Sequence, residues 1–209
     1  INTKNTHSEK LMPMVEQLLN DLNLRIQQVE AVAVTCGPGS FTGLRIGMAT
    51  AKGIAQGGNK KLIAVPTLDT LAQNLNHYPG IICPIMNAQK QQVYTALYRS
   101  GETKMERLSD YQAIEAEKLA EQLLELNETV WFVGDGVDAF REVLQAKLGD
   151  KCRIADGNLV LPHAGALAML AADRAEQERF DDLYQAELIY IRKSEAEVQW
   201  EARNQKQTV

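Results

Sequence analysis

Leu11, Met14, Val15, Leu18, Leu19 and Leu22 recur at spacings of three and four, which places them on one face of a helix. Thr6-His7-Ser8-Glu9 comes just before them, with a hydroxyl cap and an acid in the first turn, the signature of a helix start. Pro13 is close enough to that start for its missing N–H to be tolerated. Glu16, Gln17, Asn20 and Asp21 face away. Most of the leucine stripe reads as core. Met12, off the stripe beside His7 and Glu16, reads as a contact with a partner.

At residue 31 the period changes. Ala31–Thr35 is a short, β-branched strand that runs into a Gly/Pro loop, Cys36-Gly37-Pro38-Gly39. A helix opens near Ser40 and continues to Gly57. Its clearly polar positions, Arg45, Lys52 and Gln56, form one narrow stripe. Phe41, Leu44, Met48, Ala51 and Ala55 make one apolar face; Gly43, Ile46, Gly47, Thr50 and Ile54 make a second. A helix on a sheet needs one apolar stripe, so the second predicts a second partner. Gly43, Gly47 and Ala51 are small at a spacing of four, and each glycine costs about 1 kcal/mol against Ala in a helix. Close approach of another backbone is the expected reason for them. Arg45 lies one turn inside the helix, where the dipole disfavours a cation. Its planar fork is expected to meet a partner's carboxylate, with a solvated arginine as the alternative.

A strand at 62–65 and a short helix at 67–76 follow, and this strand–helix alternation predicts a parallel α/β arrangement. The turn-rich residues 76–80 mark a boundary. Beyond them the pattern predicts strands at 81–86, 92–98 and 106–111, a helix at 115–126, a strand at 129–133, a helix at 137–148, a strand at 152–154 and an alanine-rich helix at 162–180. In that last helix Leu167, Leu170 and Ala171 should be core. The expected division is an N-terminal lobe at 1–78 carrying the partner-binding helices, a C-terminal lobe at 79–192, and a polar tail at 193–209.

Composition narrows the function. With 45% hydrophobic and 23% charged residues, the 209-residue chain is ordinary for a globular protein. A net charge of −5 argues against a broad phosphate-binding surface and against unaided RNA binding. No apolar run is long enough to span a bilayer, and no signal peptide stands out. Three widely spaced cysteines, Cys36, Cys83 and Cys152, read as reduced cytosolic thiols. The three histidines, His7, His77 and His163, form no metal-binding pair, so neither a metal nor a cofactor is expected.

The glycine loop invites a phosphate-binding reading but fails each specific pattern. Leu44 stands where a P-loop needs Lys. The glycine spacing is one residue too long for the dinucleotide fingerprint. Pro38 and Thr42 occupy the glycine positions of a nucleophile elbow around Ser40. Cys36 reads as a small buried hydrophobe rather than a nucleophile. Gly134-Asp135-Gly136 could hold a nucleotide in a kinase-like fold, but the favoured reading is a plain turn with Asp135 near a helix cap.

GPGSFTGLRIG at 37–47, followed by a small-residue helix reaching AKGIA, resembles the bacterial TsaB (YeaZ) family. HSEKLMP at 7–13, AVPTLDTLA at 64–72, QVYTALY at 92–98 and IYIRKSEAE at 189–197 extend the resemblance over essentially the whole chain. It implies a two-lobed α/β fold of the actin/Hsp70/sugar-kinase class. It also implies a cytoplasmic, non-catalytic scaffold in the making of threonylcarbamoyladenosine in tRNA. The implied partners are the catalytic relative TsaD, bound through N-terminal helices, and the ATPase TsaE, which docks on that pair. Transfer RNA would be met only through the complex, and the chain alone is expected to form a two-fold dimer. The interface expected on these grounds comprises His7, Leu11, Met12, Val15, Leu18, Phe41, Gly43, Leu44, Arg45, Gly47, Met48 and Ala51.

Two departures qualify the resemblance. The family opens with a β-hairpin of lobe I, and this sequence begins at Ile1-Asn2-Thr3, apparently after it. Asn87-Ala88-Gln89 replaces a common D-A-R, so no role of that acid or base carries over. The alternative from another class is an active phosphotransferase of the same fold. A protease reading finds no triad, dyad or metal set.

Overall fold

A computed structural model of the chain describes residues 7–101 and 104–192, with side chains from Lys10 onward. The tail expected at 193–209 lies outside the described residues. The first sheet is a parallel pair, β1 (Ala31–Thr35) and β2 (Lys61–Val65), in register from Ala31 opposite Lys61 to Thr35 opposite Val65. Parallel neighbours need a crossover, and α2 (Phe41–Gly58) supplies it. Ser40 caps this helix by accepting a hydrogen bond from the Gly43 N–H at 3.3 Å, and Asn59, in the left-handed region, ends it. Alternation sends Val32, Val34, Leu62 and Ala64 toward Met48 and Ala51 of α2. Ala31, Ala33, Ile63 and Val65 face the other way, onto α6 (Ala164–Glu176).

The second sheet is centred on β3 (Ile81–Asn87). One edge of β3 pairs in parallel with β8 (Val130–Val133), and β9 (Cys152–Ile154) continues beyond it. The other edge pairs antiparallel with two short strands in succession, β5 (Tyr98–Ser100) on Ile81 and Ile82, and β4 (Gln92–Thr95) on residues 85 to 87. Outside these run β6 (Met105–Arg107) and β7 (Gln112–Glu115). The single strand expected at 92–98 is therefore broken at Ala96-Leu97. The strand expected at 106–111 gives way to β6 and β7. Leu108 N–H bonds the Leu97 carbonyl, and Leu97 N–H bonds Ser109 Oγ, so a local exchange replaces the regular ladder at the break.

One face of this sheet is covered by α4 (Ala116–Leu126) and α5 (Gly136–Leu148), through Leu119, Leu123, Phe140 and Leu144. The other face is covered by α3 (Thr67–Gln73), through Leu68, Leu71 and Ala72 with Leu75 just beyond, against Ile82, Ala96 and Tyr98. The chain thus crosses between the two sheets on both sides of residue 78. The helix α3, assigned to the first lobe from sequence, packs on the second sheet, and α6, assigned to the second lobe, packs on the first. Ala171 of α6 is buried as expected, and Leu167 and Leu170 are half-buried.

The two halves echo each other. β1–α2–β2 and β8–α5–β9 are each a parallel pair with a crossover helix. Each loop before the helix carries a glycine in the left-handed region, Gly37 at φ +115° and Gly134 at φ +114°. A Cβ on Gly37 would lie 2.6 Å from the Ile189 carbonyl oxygen, and one on Gly134 would collide with that of Ile85.

Candidate interaction site

The helix α1 (His7–Asp21) packs along α2. A groove of about 700 Å³ runs between them, lined also by Leu24, Arg25 and Ile26. Met12, Val15 and Leu19 form one wall, and Gly53, Ile54, Gly57 and Gly58 form the other. No atom comes within 4 Å of a Cβ built on Gly53 or Gly57, so these glycines keep the groove open.

None of the described α1 side chains is buried. Leu11, Val15 and Leu19 are half-buried, while Met14, Leu18 and Leu22 are exposed on the outward side, Leu18 to 58% and Leu22 to 56%. The leucine stripe is therefore not core. Its outward half is a strip of apolar surface at i, i+4 and i+8, with Met12 exposed beside it.

The expected interface residues separate by position. Leu11, Met12, Val15 and Leu18 lie along this strip and groove. His7 starts α1, and its side chain lies outside the described residues. Leu44, Met48 and Ala51 are 9%, 5% and 5% exposed and belong to the chain's own core, which removes them from any partner surface. Of the Gly43–Gly47–Ala51 line only Ala51 is buried, and the two glycines are half-buried. A Cβ on Gly47 would meet Val34 of β1 at 3.9 Å, and one on Gly43 would meet only Ser40. The small residues that face the open groove are Gly53 and Gly57, also four apart, one face further round. That spacing was present in the sequence and carried the same signal.

Arg45 is held within the chain. Its guanidinium lies over the Phe41 ring at 3.7 Å, and its Nε donates to Tyr190 Oη at 3.2 Å. The Phe41 and Tyr190 rings are 5.6 Å apart. The side chain stays exposed, so Arg45 is a solvated arginine that also has two aromatic neighbours in its own chain. Sequence reasoning missed Tyr190, whose separation from Arg45 by 145 residues leaves no local signal.

The groups singled out for chemistry have structural employment. Burial pushes the Cys36 thiol up to about 11, and the thiol stays protonated at neutral pH. Ser40 Oγ is used as the α2 cap. Asp135 stands at the N-cap position of α5, as expected, and its carboxylate accepts from the Asn87 N–H at 3.1 Å, so it ties the loop before α5 to the end of β3 instead of bonding a helix N–H. The Asn87 side chain in turn accepts from the Gln89 N–H within the hairpin. Among the described residues no cluster of His, Cys, Asp and Glu could hold a metal ion, and no helix is long and apolar enough to cross a membrane.

Comparison with known proteins places this geometry. The family model described as TsaD, tRNA N6-adenosine threonylcarbamoyltransferase, matches residues 2–200. The chain is 34% identical to the tRNA threonylcarbamoyladenosine biosynthesis protein TsaB of Bacillus subtilis (strain 168), over 94% of its own length and 84% of that protein's. The chain belongs to the TsaB family. The TsaB of Escherichia coli (strain K12) is 28% identical over 91% of the chain and 82% of its own length. A Pseudomonas aeruginosa structure described as similar to the peptidase YEAZ superposes with a TM-score of 0.76 at 25% identity, covering 90% of this chain and 85% of that one. The fold is thus that of the TsaB (YeaZ) proteins, the two-lobed actin/Hsp70/sugar-kinase class.

Proposed function

We propose that this chain is a non-catalytic subunit in the biosynthesis of threonylcarbamoyladenosine in tRNA, and that its α1–α2 face binds a TsaD-type transferase. The observation that carries the reading is the outward strip Met14–Leu18–Leu22 beside an open apolar groove. A contiguous apolar surface of this kind marks an interaction site. The match of the TsaD family model over nearly the whole chain supports a partner built like the chain itself, able to offer a similar helix pair in return. In isolation the same face would pair with a second copy around a two-fold axis, the commonest closed arrangement. An ATPase of the TsaE type would dock on the assembled pair. The net charge of −5 supports an encounter with tRNA only through the complex. Three free, buried cysteines fit a reducing cytoplasm. The structural duties of Cys36, Ser40 and Asp135 support a role without catalysis.

The test is reconstitution of tRNA modification with the cognate transferase, ATPase and tRNA. Product should form with this chain and fall to background without it. Leu18→Glu should behave like omission while melting as the parent does. Full modification without the chain would refute the proposal.

A further inference from the structure

Residues 181–192 have almost no regular structure, yet they cross the molecule from one sheet to the other. At one end the Asp181 N–H donates to the Leu62 carbonyl, and its carboxylate accepts from the Ala64 N–H at 2.7 Å. In the middle, Lys52 of α2 donates to the Ala186 carbonyl at 2.8 Å. Further on, the Ile189 N–H bonds the Cys36 carbonyl at 2.7 Å, and the Ile189 carbonyl lies against Gly37. At the far end Arg192 donates to the Ala88 carbonyl in the β3–β4 hairpin of the second sheet. Arg45 and Lys52, the two charged residues on α2, thus both serve this segment.

We propose that residues 181–192 form a strap that opens as a unit, with Phe41, Arg45 and Tyr190 as its clasp. The seated strap covers the β1–α2 loop and couples it to the hairpin of the second sheet. Backbone hydrogen bonds join it to the body only at residues 181 and 189 among the described residues. A segment attached at so few points opens at lower cost than the sheets beneath it. The clasp is the exposed, side-chain part of the attachment, so side-chain changes there leave the main-chain bonds at 181 and 189 in place. This inference is independent of the role in tRNA modification.

The three cysteines provide the readout. Cys36 lies under the strap and packs in the same cluster as Leu188 and Ile189, whereas Cys83 and Cys152 lie in the core between the second sheet and α4–α5. Alkylation of each cysteine by N-ethylmaleimide, followed peptide by peptide at fixed pH, separates strap opening from global unfolding. In the full chain, Arg45→Ala with Tyr190→Ala should raise the Cys36 rate about tenfold or more, from loss of the cation–ring contact and one hydrogen bond. The Cys83 and Cys152 rates should stay at parent values. Tyr190→Phe, which keeps the ring and loses the hydroxyl, should give a smaller rise of the same selectivity and remains informative if the double variant fails to fold. An unchanged Cys36 rate in both variants, or a rise shared equally by all three cysteines, would overturn the proposal.

Discussion

At the scale of single residues, one methyl group separates two kinds of glycine. Gly37 and Gly134 sit in the left-handed region with a backbone carbonyl where a Cβ would go. Gly37→Ala and Gly134→Ala should each cost about 2 kcal/mol or more, since strain and collision add. Gly57→Ala should be neutral or stabilise by up to about 1 kcal/mol, because its Cβ would meet open space within a helix. Urea unfolding of the three variants checks both halves of this statement. Asp69 is a second such position. Its Oδ1 accepts from Tyr98 and from Tyr111, each at 2.7 Å, and so fastens α3 to the second sheet. Burial, reinforced by the Asp69 charge, raises both phenols and keeps them protonated as donors. Tyr98→Phe should cost about 1.5–3 kcal/mol, the range for a hydrogen bond to a charged group. Asp69→Ala should cost more, because it strands two phenols. Equal stability of Asp69→Ala and the parent in urea would show that the knot contributes nothing.

At the scale of elements, periodicity identified helices and strands better than it identified what covers them. α1, α2, β8, α5 and β9 start and end within about two residues of the positions expected from spacing, caps and glycine turns. The β4–β5 break and β7 were not legible. Both depend on a cross-strand exchange between Leu97 and residues 108 and 109, which one strand's pattern does not contain. The sheets that α3 and α6 pack on were not legible for a related reason. An apolar face states that something covers it, and chain order is a poor guide to what that is once the backbone crosses between lobes. On α2 two apolar faces were legible, but not which of them the chain would use itself. The sheet takes Leu44, Met48 and Ala51, and leaves Gly53 and Gly57 beside α1. The proposed interface therefore rests on α1 and on the open side of α2, since Leu44, Met48 and Ala51 are used internally.

For the whole molecule, both cores hold protonated thiols, and this gives stability a pH dependence with a definite sign. Burial raises Cys36 from the ordinary 9.0 to about 11 and Cys83 to about 12. The unfolded chain releases these protons near 9, so above that pH the folded state binds more of them. The contribution is complete well below pH 9 and is lost as pH rises through it toward 12. Between about pH 8 and 9, below the range of ordinary phenols, unfolding free energy should begin to fall, and Cys36→Ala with Cys83→Ala should flatten the fall. A parent and variant with parallel slopes would mean that these thiols do not carry the effect. On the proposed function, this TsaB-family chain acts through a surface, the outward strip of α1 and the groove beside it. Leu18 is exposed enough for Leu18→Glu to change folding stability by no more than about 0.5 kcal/mol. Buried in an interface, the same charge should weaken binding at least about tenfold. Calorimetric titration of the cognate TsaD-type transferase into parent and Leu18→Glu chains measures this directly. The account predicts saturable binding by the parent and a loss of about tenfold or more in the variant at unchanged melting temperature; equal affinities for the two chains would contradict it.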